Sequence, residues 1–171
     1  GCGHADEAAH HPGIALTDAV DAAGDLPHDS DRMAGAQESD VLIVRSPYRI
    51  CPLGAHVDHQ LGEVTGMAIE EAVLFGFVPS GAPAIRVRSR NFPGEVRLPV
   101  TNPPEPARRD WGDYLRGAVR AIQKRTKLRW GLTGIVHGHE RVGGLSSSAA
   151  VGVAYLLAIE RANDLSVSAS D

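Results

Sequence analysis

Arg141-Val-Gly-Gly-Leu-Ser-Ser-Ser-Ala-Ala150 sets two glycines and three serines directly before an apolar, alanine-rich run that reaches Glu160 without a proline. This order describes a loop feeding the N-terminus of a buried helix. Such an end carries backbone N–H groups with no intrahelical partner and the positive end of the helix dipole, which suits a phosphate. Gly143 and Gly144 permit positive φ and close backbone approach. Ser146, Ser147 and Ser148 offer hydroxyls for capping, for phosphate oxygens or for Mg2+. A serine-capped core helix after a glycine turn would use the same letters. No lysine follows the glycines at the spacing of a Walker loop.

A second polar concentration is Pro47-Tyr-Arg-Ile-Cys-Pro-Leu-Gly-Ala-His-Val-Asp-His-Gln-Leu-Gly62. Its prolines and glycines predict a structured loop rather than a long helix or a central strand. Arg49, His56, Asp58 and His59 lie close together in it, beside the buried strand predicted for Val41–Arg45. Polar groups crowded into such a loop form a plausible site, while a surface loop with incidental charges is the plain alternative. Metal binding by His56, Asp58 and His59 lacks a further ligand set.

The elements that must position these stretches follow from periodicity. Val64–Ile69 and Ala72–Val78 are expected as strands, with a turn at Pro79–Pro83. Ala84–Arg90 alternates Ile85 and Val87 with Arg86, Arg88 and Arg90, and Glu95–Val100 is its expected hairpin partner. Asp110 is the expected N-cap of an amphipathic helix that buries Trp111, Tyr114, Leu115, Ala118, Val119 and Ile122, with Trp111 as a core anchor rather than a ligand stacker. Leu132–Val136 is expected as a strand, followed by loop histidines. The last helix is expected from Ser147 to Ala162, apolar all round and therefore central. The fold class expected is α+β, strands packed on helices.

The chain has 171 residues, enough for one domain with a core, and a formal charge of −4. Residues 1–40 hold nine Asp or Glu and one Arg, and they lack a sustained apolar period. They are expected to form an acidic, flexible arm, apart from a possible short helix over Ile14–Ala23, with residues 41–171 as the domain. His4, His10 and His11 in the arm match a metal tract less well than chance histidines. The remaining residues carry a net charge of +4, which fits small anionic ligands. There is no lysine-rich run with interleaved aromatics, so no nucleic-acid partner is expected. No apolar run approaches the roughly 18 residues of a membrane helix. Two cysteines are too few for a disulfide framework, and no secretory pattern is visible, so a cytoplasmic location is expected. The start at Gly1 and the end at Asp171 suggest an N-terminal fragment. Oligomeric state is left open.

Taken together, the two polar stretches resemble a known family. Pro47 to Gly62 resembles the sugar-binding signature of galactokinases, and Gly144-Leu-Ser-Ser-Ser-Ala-Ala150 resembles the ATP-binding loop of the GHMP kinase superfamily to which they belong. The wording of both stretches, and of Phe75–Gly81, looks closest to plant-type galacturonokinases. The resemblance implies the N-terminal domain of the GHMP kinase fold, with the C-terminal domain beyond this chain. It implies ATP and Mg2+ as cofactors and a small sugar acid as substrate. Arg49 stands at the family's arginine near the transferred phosphoryl group, where a guanidinium stabilises spreading negative charge. Ala55, His56 and Asp58 stand at sugar-contacting positions. Gly143, Gly144, Leu145, Ser146, Ser147, Ser148 and Ala149 stand at the ATP loop, with Ser148 at the Mg2+-contacting serine.

The departures carry information as well. Galactokinases have Glu where this chain has Ala55, at a contact to the sugar's 6-hydroxyl. A uronate carboxylate facing that Glu at about 4 Å would be repelled by about 1–4 kcal/mol. Ala55 removes the repulsion, so galacturonic acid is the substrate expected, ahead of galactose or arabinose. Tyr48 and Leu61 replace family glycines, which puts the loop's backbone path in question. The family's catalytic aspartate lies downstream of the ATP loop and past Asp171, so the chain alone is expected to turn over little. A sugar- and ATP-binding sensor without turnover is the reading from another class.

Overall fold

The computed structural model describes residues 38–54, 60–105, 110–138 and 145–165. A turn of 3-10 helix, Glu38–Asp40, leads into β1 (Leu42–Ile50), followed by β2 (Met67–Pro79), β3 (Ala84–Ser89), β4 (Glu95–Pro99), α1 (Asp113–Gln123), β5 (Leu132–His137) and α2 (Ser147–Ala162). The strands form one mixed sheet in the order β1-β2-β5-β3-β4. Strand β5 enters between β2 and β3, antiparallel to the first and parallel to the second. The α+β class expected from the sequence is the one observed.

Alternation decides which face of the sheet is covered. Val73, Phe75 and Phe77 of β2, Ile85 and Val87 of β3, Val96 and Leu98 of β4, and Leu132 and Val136 of β5 are buried in one core with Leu115, Val119 and Ile122 of α1 and Ala154, Tyr155 and Ile159 of α2. The Phe75 ring meets Tyr155 edge-on at 5.1 Å between centroids and stacks with Phe77 at 5.6 Å, tying α2 to the middle of the sheet. Gly134 makes room for this cluster, because a Cβ there would lie 2.7 Å from both the Phe75 ring and the Gly76 carbonyl.

Several expectations are corrected. Strand β1 does not stop at Arg45 but runs through Pro47 to Ile50. Proline is tolerated there because β1 is an edge strand, and the register shifts between Pro47 and Arg49. The two strands expected at Val64–Ile69 and Ala72–Val78 are one, with Glu70 and Glu71 exposed within it. Gly112 rather than Asp110 precedes α1. The Asp110 carboxylate accepts the Gly112 N–H at 2.8 Å and thus holds the turn before the helix. Helix α2 begins and ends where expected, yet it is not buried all round, since Val153 and Leu157 lie on an exposed flank. The short helix expected at 14–23 and most of the acidic arm lie outside the described residues.

Trp111 is partly buried against the core, as expected of an anchor, and its indole N–H donates to the Pro93 carbonyl at 3.3 Å. The β3–β4 arginines surround one carboxylate: Glu95 pairs with Arg88 at 3.1 Å, with Arg86 at 3.9 Å and with Arg97. Like charges on adjacent strands are thereby bridged, which agrees with a solvated face rather than a ligand stripe.

Candidate functional site

The two polar stretches meet where the end of β1 passes the start of α2. Arg49, one residue from the end of β1, makes two contacts there. Its backbone N–H donates to the Leu145 carbonyl at 3.2 Å, and its Nη2 donates to Ser146 Oγ at 3.2 Å. The Arg49 side chain is exposed and runs past Gly66, where a Cβ would stand 3.3 Å from Arg49 Cδ. A larger residue at 66 would therefore press on the stem that carries the guanidinium.

Ser146 has the left-handed backbone, φ 57° and ψ 34°, and its side chain does not cap the helix it precedes. Its hydroxyl is engaged by Arg49 instead, and no acidic residue occupies the first turn of α2. Ser147, Ser148 and Ala149 in that turn are exposed. The result is a helix N-terminus whose N–H groups lack a side-chain cap, set beside a guanidinium. Both attract an anion, and a phosphate is the anion whose several oxygens suit two kinds of donor.

Ser148 brings in a residue the sequence did not single out. Its Oγ lies 2.8 Å from the hydroxyl of Tyr114 on α1. Tyr114 was expected on the buried face of that helix, but it is 44% exposed and its hydroxyl reaches the start of α2. The N-terminal turn of α1 is itself fixed, because Arg116 Nη1 lies 2.6 Å from Asp110 and 2.8 Å from Asp113. The two carboxylates, foremost Asp110, hold the Arg116 guanidinium above its ordinary value.

Asn91 is a second residue the sequence did not flag. It holds the strand exit that leads toward the glycine-serine loop. Its Nδ2 donates to the Gly138 carbonyl at 2.8 Å and its Oδ1 accepts the Gly138 N–H at 2.8 Å. Tyr48, which stands where the galactokinase signature has a glycine, is buried, and a Cβ on Gly138 would lie 2.8 Å from its hydroxyl.

Of the residues expected at the site, the structure brings Arg49, Leu145, Ser146 and the first turn Ser147-Ser148-Ala149 together. Ala55, His56, Asp58 and His59, together with Gly143 and Gly144, lie outside the described residues. Among the described residues no group of three or more His, Cys, Asp or Glu is arranged to hold a metal ion. Ser148, exposed in the first turn of α2, offers one hydroxyl oxygen, and a Mg2+ ion there would draw its other ligands from phosphate oxygens and water. Among the described residues no helix is long and apolar enough to cross a membrane.

Known proteins resemble the chain in sequence and in fold. The chain is 45% identical over 159 residues to galacturonokinase of Arabidopsis thaliana, an alignment covering 82% of this chain and 38% of that protein. It is 29% identical over 126 residues to galactokinase of Chloroflexus aurantiacus, covering 73% of this chain and 32% of the relative. The chain thus spans about a third of the length of the curated relatives it matches. In fold it is similar to the crystal structure of Lactococcus lactis galactokinase complexed with galactose, with a TM-score of 0.66 at 23% identity, over 75% of this chain and 34% of that one. No protein-family model matches. Over the span compared the chain is similar in sequence to a galacturonokinase and a galactokinase, and similar in fold to a galactokinase.

Proposed function

We propose that the protein transfers the γ-phosphoryl group of ATP to the anomeric hydroxyl of D-galacturonic acid, giving galacturonate 1-phosphate. The observation that carries this reading is the Arg49 guanidinium hydrogen-bonded to Ser146 at an uncapped, exposed helix N-terminus. The galacturonokinase likeness supports the choice of sugar, and so does the presence of alanine rather than glutamate at position 55, which would leave a substrate carboxylate unopposed. The first turn of α2 would receive the nucleotide phosphates through its backbone N–H groups. Arg49 would bind the oxygens of the group in transfer. Ser148 would contact Mg2+, which neutralises phosphate charge when bound. His56 and Asp58 would hold sugar hydroxyls, the Asp58 carboxylate accepting from two of them. Such catalysis consists of positioning and charge stabilisation without a covalent enzyme intermediate. A cytoplasmic setting belongs to the same reading, supported by a sequence with only two cysteines.

ADP release by the full-length protein, with galacturonate, galactose and arabinose in parallel, tests the proposal. Release with galacturonate well above the neutral sugars is the expected result. Preference for a neutral sugar would discard the Ala55 argument and keep the kinase. Silence with every sugar from folded, ATP-binding protein would favour a non-catalytic sensor.

A further inference from the structure

We propose that Tyr114 is a positioning residue for the Ser148 hydroxyl, turning its lone pairs toward the cation that accompanies the nucleotide. The inference rests on the kinase reading above and adds a residue that neither motif contains. A serine hydroxyl has one hydrogen and two lone pairs. When a cation approaches the oxygen, the hydrogen must point elsewhere, or the like-signed O–H dipole opposes binding. Tyr114 OH, 2.8 Å from Ser148 Oγ, is an acceptor in the right place to take that hydrogen. With the proton on the Tyr114 side, the free lone pairs of Ser148 face away from α1.

The surroundings make Tyr114 a fixed partner rather than a passing one. Its neighbours Leu115, Ala118, Val119 and Ile122 are buried in the core, so α1 cannot turn without unpacking. The turn ahead of Tyr114 is held by Arg116 between Asp110 and Asp113. The Tyr114 ring itself remains partly exposed, so its hydroxyl is not needed to fill the core. A phenol kept at an accessible helix terminus and bonded to one serine suits orientation better than packing. Outer partners of this kind typically change metal affinity by about 10–100-fold when removed.

The test measures ATP affinity by calorimetry in the full-length protein, once with excess Mg2+ and once with EDTA. The variants are Tyr114→Phe, Ser148→Ala and the double variant. Tyr114→Phe is expected to lower the Mg2+-dependent gain in affinity by about tenfold. Its affinity in EDTA and its melting temperature without ligand should match the wild type. Ser148→Ala should remove most of the Mg2+-dependent gain, and adding Tyr114→Phe to it should change nothing further. A Tyr114→Phe protein with the full gain, or equal losses with and without Mg2+, would overturn the positioning role. An additive double variant would overturn it too. If Ser148→Ala keeps the full gain, the placement of Mg2+ at Ser148 fails first and the inference fails with it. A folded wild-type protein that does not bind ATP would refute the kinase reading itself.

Discussion

Asn91→Ala should loosen the path into the glycine-serine loop, and its size follows from two bonds. The Asn91 amide and the Gly138 peptide exchange both hydrogen bonds at 2.8 Å, and both groups are partly buried. The preceding residues already form the parallel β3–β5 ladder, from Arg86 opposite Thr133 to Ser89 opposite Val136, and the Arg90 N–H donates to the Val136 carbonyl at 3.0 Å. The Asn91 side chain thus carries the ladder one step further, after the backbone of β3 has turned away. Each bond contributes about 1 kcal/mol net, and the partly buried Gly138 N–H and carbonyl lose their partners together, so a loss of about 2–3 kcal/mol is expected. At 2 kcal/mol the folded-to-unfolded ratio falls roughly 30-fold. Urea unfolding should show a lower midpoint with an unchanged slope. Well below the transition, ATP affinity should also weaken several-fold, because Gly138 is where the chain enters the loop. Asn91→Asp separates the two bonds. It keeps the acceptor for the Gly138 N–H but sets a carboxylate oxygen against the Gly138 carbonyl, so near neutral pH it should cost at least as much as alanine. Protonation restores a donor, which raises that carboxyl's folded-state pKa above its unfolded value. The variant should therefore recover stability as pH falls through that raised value. An Asn91→Ala protein that loses less than about 0.5 kcal/mol and binds ATP normally would show that water replaces the clasp, and the reasoning would fail.

Four further outcomes follow from single contacts. Asn163 at the end of α2 accepts the Arg129 and Trp130 N–H groups and donates to the Trp130 and Ile159 carbonyls, all at 2.9 Å, so Asn163→Ala should cost about 2–3 kcal/mol in urea unfolding. Tyr155 is fully buried, its hydroxyl has no hydrogen-bond partner among the described residues, and burial pushes its pKa up; Tyr155→Phe should raise stability by about 1 kcal/mol, and a loss would reveal a partner for that hydroxyl. Leu61 is 96% exposed at φ 60°, so Leu61→Gly should add about 0.5–1 kcal/mol by relieving a left-handed leucine, as read from the melting temperature. Burial raises the Glu160 carboxyl above its ordinary value, so ionising it opposes folding; stability from this group falls as pH rises from its unfolded to its folded value, and Glu160→Gln should flatten urea midpoints across that acidic window.

What the sequence made legible was local. Helix α2 could be bounded at both ends because glycines and serines precede it and no proline interrupts it. The alternation of Ile85 and Val87 with arginines placed β3 and its buried face. What stayed hidden depends on partners distant in the chain. Pro47 and Glu70-Glu71 look like strand breakers until β1 is known to be an edge and β2 to run on beside it to Met67, past the point where its pairing with β5 ends. The insertion of β5 between β2 and β3 leaves no mark in any window of residues, because the pairing is long-range. The site divides in the same way. Arg49 and Ser146 were each visible within a motif, but the bond between them joins residues 97 apart in sequence. Tyr114 was concealed by its spacing, since a residue at i+3 on an amphipathic helix is indistinguishable from a core position until its hydroxyl is seen at Ser148.

The two glycine replacements among the departures from the galactokinase pattern in Pro47–Gly62 show how such substitutions are accommodated. A glycine can be present for its backbone freedom or for the space it leaves, and the two roles give way differently. Leu61 keeps the left-handed φ that a glycine would adopt, so the backbone path survives and the cost falls on the leucine, whose side chain is left in solvent. Tyr48 does the opposite. Its backbone lies in the extended β1, its ring fills the core, and the space is ceded by Gly138, where any Cβ would meet the Tyr48 hydroxyl. Reverting Tyr48 to glycine would thus open a cavity beneath the strand exit that Asn91 holds, whereas reverting Leu61 would only relax a turn. Two substitutions that look equivalent as letters act on different quantities, volume in one case and φ in the other. Only the first bears on the strand exit at Gly138.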